Sequence, residues 1–346
     1  MTEKPLVSVI IPHFNGREIL RNCLEALKKT EYQNKEVIIV NNASTDGSVD
    51  DIHHFFPGAR VVNNEKNLGY AGGCNSGLAN ASGKYVLFLN NDTVFGREWL
   101  SILVEACEKD EKIAACQPKI LSQTDREMFD YAGAAGGLID VLGYPFARGR
   151  LFFTLEKDEK QYDAGGNIFW ASGTATLIRK SVLDEAGTFD EDFFAHMEEI
   201  DLNWRMHLAG YRVVAVPEAI VYHNAGSTLK PDSPEKIYLN HRNSLVMILK
   251  NYELKNLLWI IPVRVSLEFL TLVYALLKLD FARLKGGLLA LIYVFINFFR
   301  IIRKRKQVHR LRKVPDSEIF KKMYRGSIAF EYFVRGISKA KDLKLK

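Results

Sequence analysis

The chain is poor in cysteine, and its four cysteines (Cys23, Cys74, Cys107 and Cys116) form no Cys-x-x-Cys pair. That spacing argues against a cysteine-held zinc and against a disulfide framework, and it suits a reducing compartment. No Gly-x-Gly-x-x-Gly follows the first apolar run, and no glycine-rich loop ends in Gly-Lys-Ser/Thr. The dinucleotide and NTPase readings therefore lose their motifs. There is no sequence repeat and no low-complexity tract. Met1 to Leu6 lacks the basic start and long apolar core of a signal peptide, so the first half is expected to stay in the cytoplasm.

Over the 346 residues, 47% are hydrophobic and 25% charged, a globular composition. The net charge of +6 hides an asymmetry. Residues 1–230 hold 23 Lys/Arg against 32 Asp/Glu, a net of −9, while residues 231–346 hold 24 against 9, a net of +15. Two halves of opposite sign have different partners.

The first half alternates strand and helix signals. Strands are expected over Leu6–Pro12, Glu36–Val40, Arg60–Val62, Tyr85–Leu89, Ile113–Cys116, Trp170–Ile178 and Tyr211–Val216. Helices are expected over Arg17–Lys29, Gly72–Ala81, Arg97–Lys109 and Glu198–Ala209. Such alternation implies an α/β fold with a mostly parallel sheet covered on both faces. Ligands of such sheets bind at the carboxyl ends of the strands. There the sequence places Asn15, then Asn41 and Asp46, then Asn90, Asn91 and Asp92. The Gly-rich, weakly periodic stretch 122–166 is read as a variable insertion near the acceptor side.

Six segments occur in order: VSVIIPHFN (Val7–Asn15), VNNASTDGS (Val40–Ser48), NLGYAGGCNSG (Asn67–Gly77), FLNND (Phe88–Asp92), GTFDEDFFAHMEEIDLNWR (Gly187–Arg205) and YHNAGS (Tyr222–Ser227). Together they resemble the inverting family 2 glycosyltransferases of the GT-A fold, above all the rhamnosyltransferase-like members. The likeness runs from about Leu6 to Ser227. It implies a nucleotide-sugar donor, dTDP- or UDP-linked, and a divalent metal, Mg2+ or Mn2+. No Gln-x-x-Arg-Trp is present, which disfavours a processive polymerase.

A departing nucleoside diphosphate concentrates negative charge, which a metal held by few carboxylates neutralises well. Asp92 ends an apolar strand and is the expected metal ligand, with Asn90 beside it where the family usually has another acid. By resemblance, His223 approaches the metal or diphosphate from the far side. The expected donor-binding residues are Pro12, Phe14, Asn15, Asn41, Asp46, Asn67, Gly69, Gly72, Asn75, Asn90 and Asn91. Inverting transfer also needs a base for the acceptor hydroxyl, and a shielded carboxylate among other acids suits that role. Glu199 is the expected base, with Glu198 next to it. Asp201 is grouped with them as a partner of Arg205 at i,i+4 spacing. Trp170, Ser172 and Gly173 are expected at the acceptor floor, with Phe189–Phe194 flanking.

The second half has two apolar stretches, Asn256–Leu279 and Gly286–Ile302, followed by the basic run Arg303–Lys313. The first contains Arg264 and Glu268, one helical turn apart, and charges are costly in lipid. Helices lying in the interface, or a shallow hairpin, fit better than two full spans, with the basic run on anionic headgroups, and soluble helices packing on the first half are the alternative. Nucleic acid is not an expected partner, because Phe295, Phe298, Phe299 and Ile302 adjoin the basic run. Residues 1–230 thus read as a GT-A catalytic domain and 231–346 as a helical membrane-associating region. The expected activity is metal-dependent, inverting transfer of a sugar, rhamnose by resemblance, to a lipid-linked or cell-surface glycan. The expected location is peripheral or monotopic, at the cytoplasmic face of the plasma membrane. A metal-dependent nucleotidyltransferase and a non-catalytic membrane-bound glycan- or nucleotide-binding module are the alternatives. His13–Gly16 lacks the Gly-rich basic signature the first of these would need.

Overall fold

The computed structural model describes residues 4–224 and 233–344. Ala225 to Ser227, the end of the sixth motif, and the expected domain boundary at 230 lie outside the described residues.

The first strand, β1 (Val7–His13), is apolar on both faces and almost wholly buried, as the centre of a covered parallel sheet must be. It pairs in parallel with β2 (Lys35–Asn41) on one side and β4 (Tyr85–Leu89) on the other. The third strand, β3 (Ala59–Asn63), extends the sheet beyond β2. Helix α1 (Arg17–Lys28) buries Leu20, Cys23, Leu24 and Leu27, the spacing of one helix face. A short α2 (Ile52–Phe55) follows β2, and α3 (Gly69–Leu78) packs on β1 and β2. After β4 come β5 (Thr93–Phe95), α4 (Trp99–Glu108) and β6 (Ile113–Ser122).

The expected insertion at 122–166 has structure of its own. It carries a small antiparallel sheet of β7 (Gly137–Ile139), β8 (Pro145–Ala147), β9 (Arg150–Leu151) and β10 (Thr154–Leu155). Strands of two or three residues are too short to show an alternating pattern, which is why the sequence looked aperiodic there. The chain then returns through β11 (Gly166–Ile168) and β12 (Ala175–Arg179). The strand expected over Trp170–Ile178 begins only at Ala175. Before it the chain turns, with Ser172 Oγ accepting from Thr174 N at 3.1 Å. Strand β12 runs antiparallel between β4 and β6. After α5 (Lys180–Ala186) and α6 (Glu198–Leu208), β13 (Arg212–His223) runs parallel to β6. The sheet is therefore mixed, with a parallel half of order 3-2-1-4.

The tail begins with α7 (Pro234–Asn251), capped by Ser233, whose side chain accepts from Lys236 N. Its apolar face joins one core with residues of the first half: Leu245, Met247 and Ile248 cluster with Phe169, Phe193, Ile200 and Trp204. Helix α8 (Leu254–Leu277), of 24 residues, is long and apolar enough to cross a membrane. Lys255 in its first turn is exposed, yet Arg264 and Glu268 do not face outward. Arg264 donates to Glu268 at 2.9 Å and to Ser244 at 3.1 Å, and lies 3.8 Å from the Tyr144 ring centroid. Glu268 also meets His241 Nδ1 at 2.5 Å. The pair is buried against α7 and the insertion, while Leu258, Phe269, Leu270, Val273 and Leu277 are exposed on α8.

Helices α9 (Phe281–Ile296) and α10 (Phe298–Leu311) meet at a 72° bend, with Phe295, Ile296 and Phe299 among the most exposed apolar residues. The basic run divides. Lys304 pairs with Asp190 and Asp192, Arg305 donates to Leu249 O and Tyr252 O, and Arg312 pairs with Asp316. Arg303, Lys306 and Arg310 stay exposed, at spacings that put them on one face of α10.

Removing one partner from a buried ion pair strands the other charge, at a cost of about 3–5 kcal/mol. Glu268→Leu should therefore destabilise the chain by about that much in denaturant titration. Adding Arg264→Met should restore most of the loss, and a double variant no more stable than the single one would count against this reading of the pair.

Candidate active site

The loops after β1, β2 and β4 are tied to one another at the carboxyl edge of the sheet. At the end of β1, His13 is buried, and burial lowers its pKa to about 4, so the ring is neutral. The Asn91 amide donates to its Nδ1 at 2.7 Å, which leaves Nε2–H for Ser48 Oγ, also at 2.7 Å. Asn15 sits at φ 55, its Oδ1 accepts from Thr45 N at 2.9 Å, and its backbone N–H donates to Ser44 Oγ at 3.0 Å. Asp46 accepts from Gly16 N at 2.6 Å and Ser48 N at 3.1 Å. The Ser48 hydrogen bond leads the effects that hold its carboxyl at about 2. Asn41 accepts from Ser44 N at 2.8 Å and donates to Asn63 at 2.9 Å. Pro12 lies behind this edge against Gly73, and Phe14 projects outward with 46% of its surface exposed.

Asn67 and Gly69 form the turn into α3. Asn67 Oδ1 accepts from Gly69 N at 2.9 Å, and Gly69 takes φ +70. A Cβ there would lie 2.4 Å from Phe194 O, so only glycine allows this approach. Gly72 packs on Leu68. The Asn75 amide is engaged away from the loop edge, donating to Phe189 O at 2.9 Å and Glu191 Oε1 at 3.0 Å. Asn90 N donates to Thr174 O at 2.9 Å, and Tyr70 Oη donates to Gly173 O at 2.6 Å. Ser172 and Trp170 are buried, the indole donating to Leu138 O at 2.8 Å. Their side chains stand behind the floor of this region, and Gly173 lies against Tyr70.

Asp92 and His223 come together. His223 Nε2 is 3.1 Å from Asp92 Oδ1, and His223 Nδ1 is 2.9 Å from Asp130 Oδ1. Burial alone would lower the imidazole pKa, but hydrogen bonds and charge from Asp130 and Asp92 raise it to about 10. The pair offers a carboxylate oxygen and, once deprotonated, an imidazole nitrogen, and among the described residues no group of three or more His, Cys, Asp or Glu is placed to hold a metal ion. Asp130 fixes the orientation of the His223 ring through this bond. It was not among the residues expected from the sequence. An acid behind the histidine was foreseeable, but nothing in the aperiodic insertion marked which one.

The first turn of α6 carries the acids. Glu198 Oε2 and Glu199 Oε2 are enclosed and have no hydrogen-bond partner among the described residues. Burial and the charge of Glu199 keep Glu198 well above the usual carboxylate range. Burial raises Glu199 to about 7, tempered by local backbone hydrogen bonds and by the charge of Arg150. Two adjacent acids with separated pKa values give one neutral neighbour and one group poised near neutral pH. Asp201 is different. It is fully buried and paired to Arg205 at 3.0 Å, Lys250 at 3.1 Å and Asn251 at 2.9 Å.

The loop into α6 is strained, with Phe194, His196 and Met197 all at positive φ (63, 69 and 71). Asn243 of α7 holds it by donating to Phe193 O at 3.0 Å, Ala195 O at 2.9 Å and His196 O at 2.7 Å, and Arg242 donates to Asp192 O and Phe193 O. Neither residue was singled out from the sequence, because a polar pair inside an amphipathic helix reads as solvent-facing.

The solved structures of similar shape define the class. GalNAc-T7 with UDP, GalNAc and Mn2+ matches at TM-score 0.56 with 15% identity, over 72% of this chain and 48% of that one. The mannosyltransferase PcManGT from Pyrobaculum calidifontis with GDP-Man and Mn2+ matches at TM-score 0.53 with 17% identity, over 85% and 87%. At such identities the likeness concerns the fold, which is GT-A. Residues 8–187 match Glycosyl transferase family 2, more than half of the chain, and the protein belongs to that family. Among curated relatives, the N-acetylglucosaminyl-diphospho-decaprenol L-rhamnosyltransferase of Mycobacterium tuberculosis is 25% identical over 245 residues, covering 66% of this chain and 79% of the relative. The poly-beta-1,6-N-acetyl-D-glucosamine synthase of Staphylococcus epidermidis is 27% identical over 220 residues, covering 62% of this chain. The chain matches about half the length of that synthase (49%).

Asn243→Ala would leave three loop carbonyls without their donor. It should cost about 2–4 kcal/mol in thermal unfolding and speed amide exchange over residues 193–199. Unaltered exchange there would show that α7 does not brace the loop.

Proposed function

We propose that the chain is a metal-dependent, inverting glycosyltransferase. It moves a hexosyl group, rhamnose in the reading its mycobacterial relative favours, from a dTDP- or UDP-linked donor to a lipid-linked or cell-surface glycan. The observation that carries this reading is the pairing of two features at one sheet edge. These are the Asp92–His223 pair and, at the start of α6, two enclosed carboxylate oxygens without hydrogen-bond partners among the described residues. Contacts link them across the edge: Asn90 to Thr174, Gly173 to Tyr70, and Gly69 to Phe194 just before α6.

Asp92 and His223 would hold the metal, His223 giving up its Nε2 proton to do so. When bound, the ion would screen charge on the departing diphosphate. The β1, β2 and β4 loops, with Asn15, Asn41, Asp46 and Asn91, would bind the nucleotide. Glu199 would take the proton of the acceptor hydroxyl as it attacks the anomeric carbon, displacing the nucleoside diphosphate with inversion. Glu198, kept neutral, would sit beside it as a hydrogen-bond donor.

Glu199 is idle while protonated, so turnover should climb with pH through about 7. Glu199→Gln should lower kcat by ~10²–10⁴ and remove that limb. Asp92→Ala should abolish both transfer and slow donor hydrolysis in Mn2+ or Mg2+. Hydrolysis that survives Asp92→Ala, or transfer that survives Glu199→Gln, would refute these roles. Absence of hydrolysis and transfer with every nucleotide sugar would favour a non-catalytic binding module.

The labour would divide at about residue 230, with catalysis before it and membrane association after it. The outward apolar side chains of α8 and α9 and the open face Arg303, Lys306 and Arg310 support a monotopic seat on an anionic cytoplasmic leaflet. Reversing all three charges to Glu should weaken co-sedimentation with phosphatidylglycerol vesicles, by about 1 kcal/mol per residue, far more than with phosphatidylcholine. Equal loss on both lipids would refute the headgroup role.

A further inference from the structure

We infer that Arg150, Tyr131 and Lys236 form an anion subsite that takes the diphosphate of a lipid-linked acceptor, an inference that rests on the transferase reading above. The Arg150 guanidinium carbon lies 4.5 Å from the Tyr131 ring centroid, and Lys236 Nζ lies 5.4 Å from it. Both are within cation–π range of one ring. The two cations are thus less than about 10 Å apart, close to the screening length of physiological salt. Arg150 is only 7% exposed, and its Nε is enclosed with no hydrogen-bond partner among the described residues. Neither cation has a carboxylate within ion-pair distance among those residues. A desolvated guanidinium beside a second positive charge, within reach of the Glu199 charge but with no ion pair of its own among those residues, is a site that a bound anion stabilises. Tyr131, 43% exposed, leaves the site open to solvent.

Position identifies the anion. On one side, Tyr131 follows Asp130, which is bonded to His223 and through it to Asp92. On the other, Lys236 precedes Ile237, which packs on Gly286 of α9, where a Cβ would lie 2.9 Å from Ile237 Cγ2. From that crossing α9 runs on to its exposed Leu288, Leu289, Ile292, Phe295 and Ile296. The contacts thus run from the Asp92–His223–Asp130 chain, through Tyr131 and its two cations, to Ile237 on the apolar helix. A sugar joined through diphosphate to a prenyl chain carries its parts in the same order. A nucleotide's diphosphate has no apolar tail to lie along α9.

Calorimetric binding of geranyl diphosphate to the full chain in EDTA tests the subsite, because chelation keeps the metal-binding pair out of the measurement. The wild type should bind it at least tenfold more tightly than geraniol. Arg150→Gln and Lys236→Gln should each lose tenfold or more, and saturating UDP should leave the affinity unaltered. Lys236, half-buried at the start of α7, serves where Arg150→Gln unfolds, as a melting curve will tell. Equal affinity for diphosphate and alcohol, variants that bind like the wild type, or displacement by UDP would overturn the proposal. Displacement would assign the cations to the donor instead. Binding is read without turnover, so a failure of sugar transfer would bear on the transferase reading and not on this subsite.

Discussion

Asp201 has no surface of its own, yet three residues donate to its carboxylate: Arg205 within α6, and Lys250 and Asn251 at the end of α7. Lys250 also reaches Asp190 at 2.5 Å, at the other end of the strained loop. A buried charge with this many donors is held in one geometry, because releasing any partner leaves the others uncompensated in a poorly polarisable interior. This network sets the angle at which α6 presents Glu198 and Glu199. It also ties α7 to the core of the first half, whatever the sign of the rest of the tail.

The strain before α6 follows from that anchorage. Three non-glycine residues at positive φ cost energy individually and persist only where their surroundings over-determine them. Here the surroundings are Asn243 and Arg242 from one side and the backbone of α3 from the other, where Phe194 O accepts from Ala71 N at 3.2 Å. The Oε2 atoms of Glu198 and Glu199 are thereby kept enclosed and without hydrogen-bond partners among the described residues, and burial raises both pKa values. Rigidity and proton affinity share one cause: the carboxylates cannot turn outward to water.

The tail solves a related problem. A long apolar helix carrying Arg264 and Glu268 is costly as a membrane span and wasteful as a core helix. Burying both charges against Ser244, His241 and Tyr144 leaves the outer face without charge beyond Lys255 in the first turn. The same helix therefore binds the catalytic half on one side and presents apolar surface on the other. The basic helix α10 is used in both ways too. Lys304 and Arg305 serve internal carboxylates and carbonyls, Arg300 is exposed but pairs with Asp192, and Arg303, Lys306 and Arg310 face out.

The sequence by itself determined the α/β alternation and the strand ends where Asn15, Asn41, Asp46 and Asp92 fall. Apolar runs of β-branched residues and the polar residues that stop them are local signals, readable from neighbours in the chain. It also marked the acids of α6, since their clustering is local. Only the tertiary structure decided that Asp130 stands behind His223, that Asn75 turns to Phe189, and that Asn243 braces the loop before α6. It alone put Arg150 and Lys236 around Tyr131. Each of these pairings joins residues far apart in the chain, and no periodicity records which distant side chain will complete a hydrogen bond.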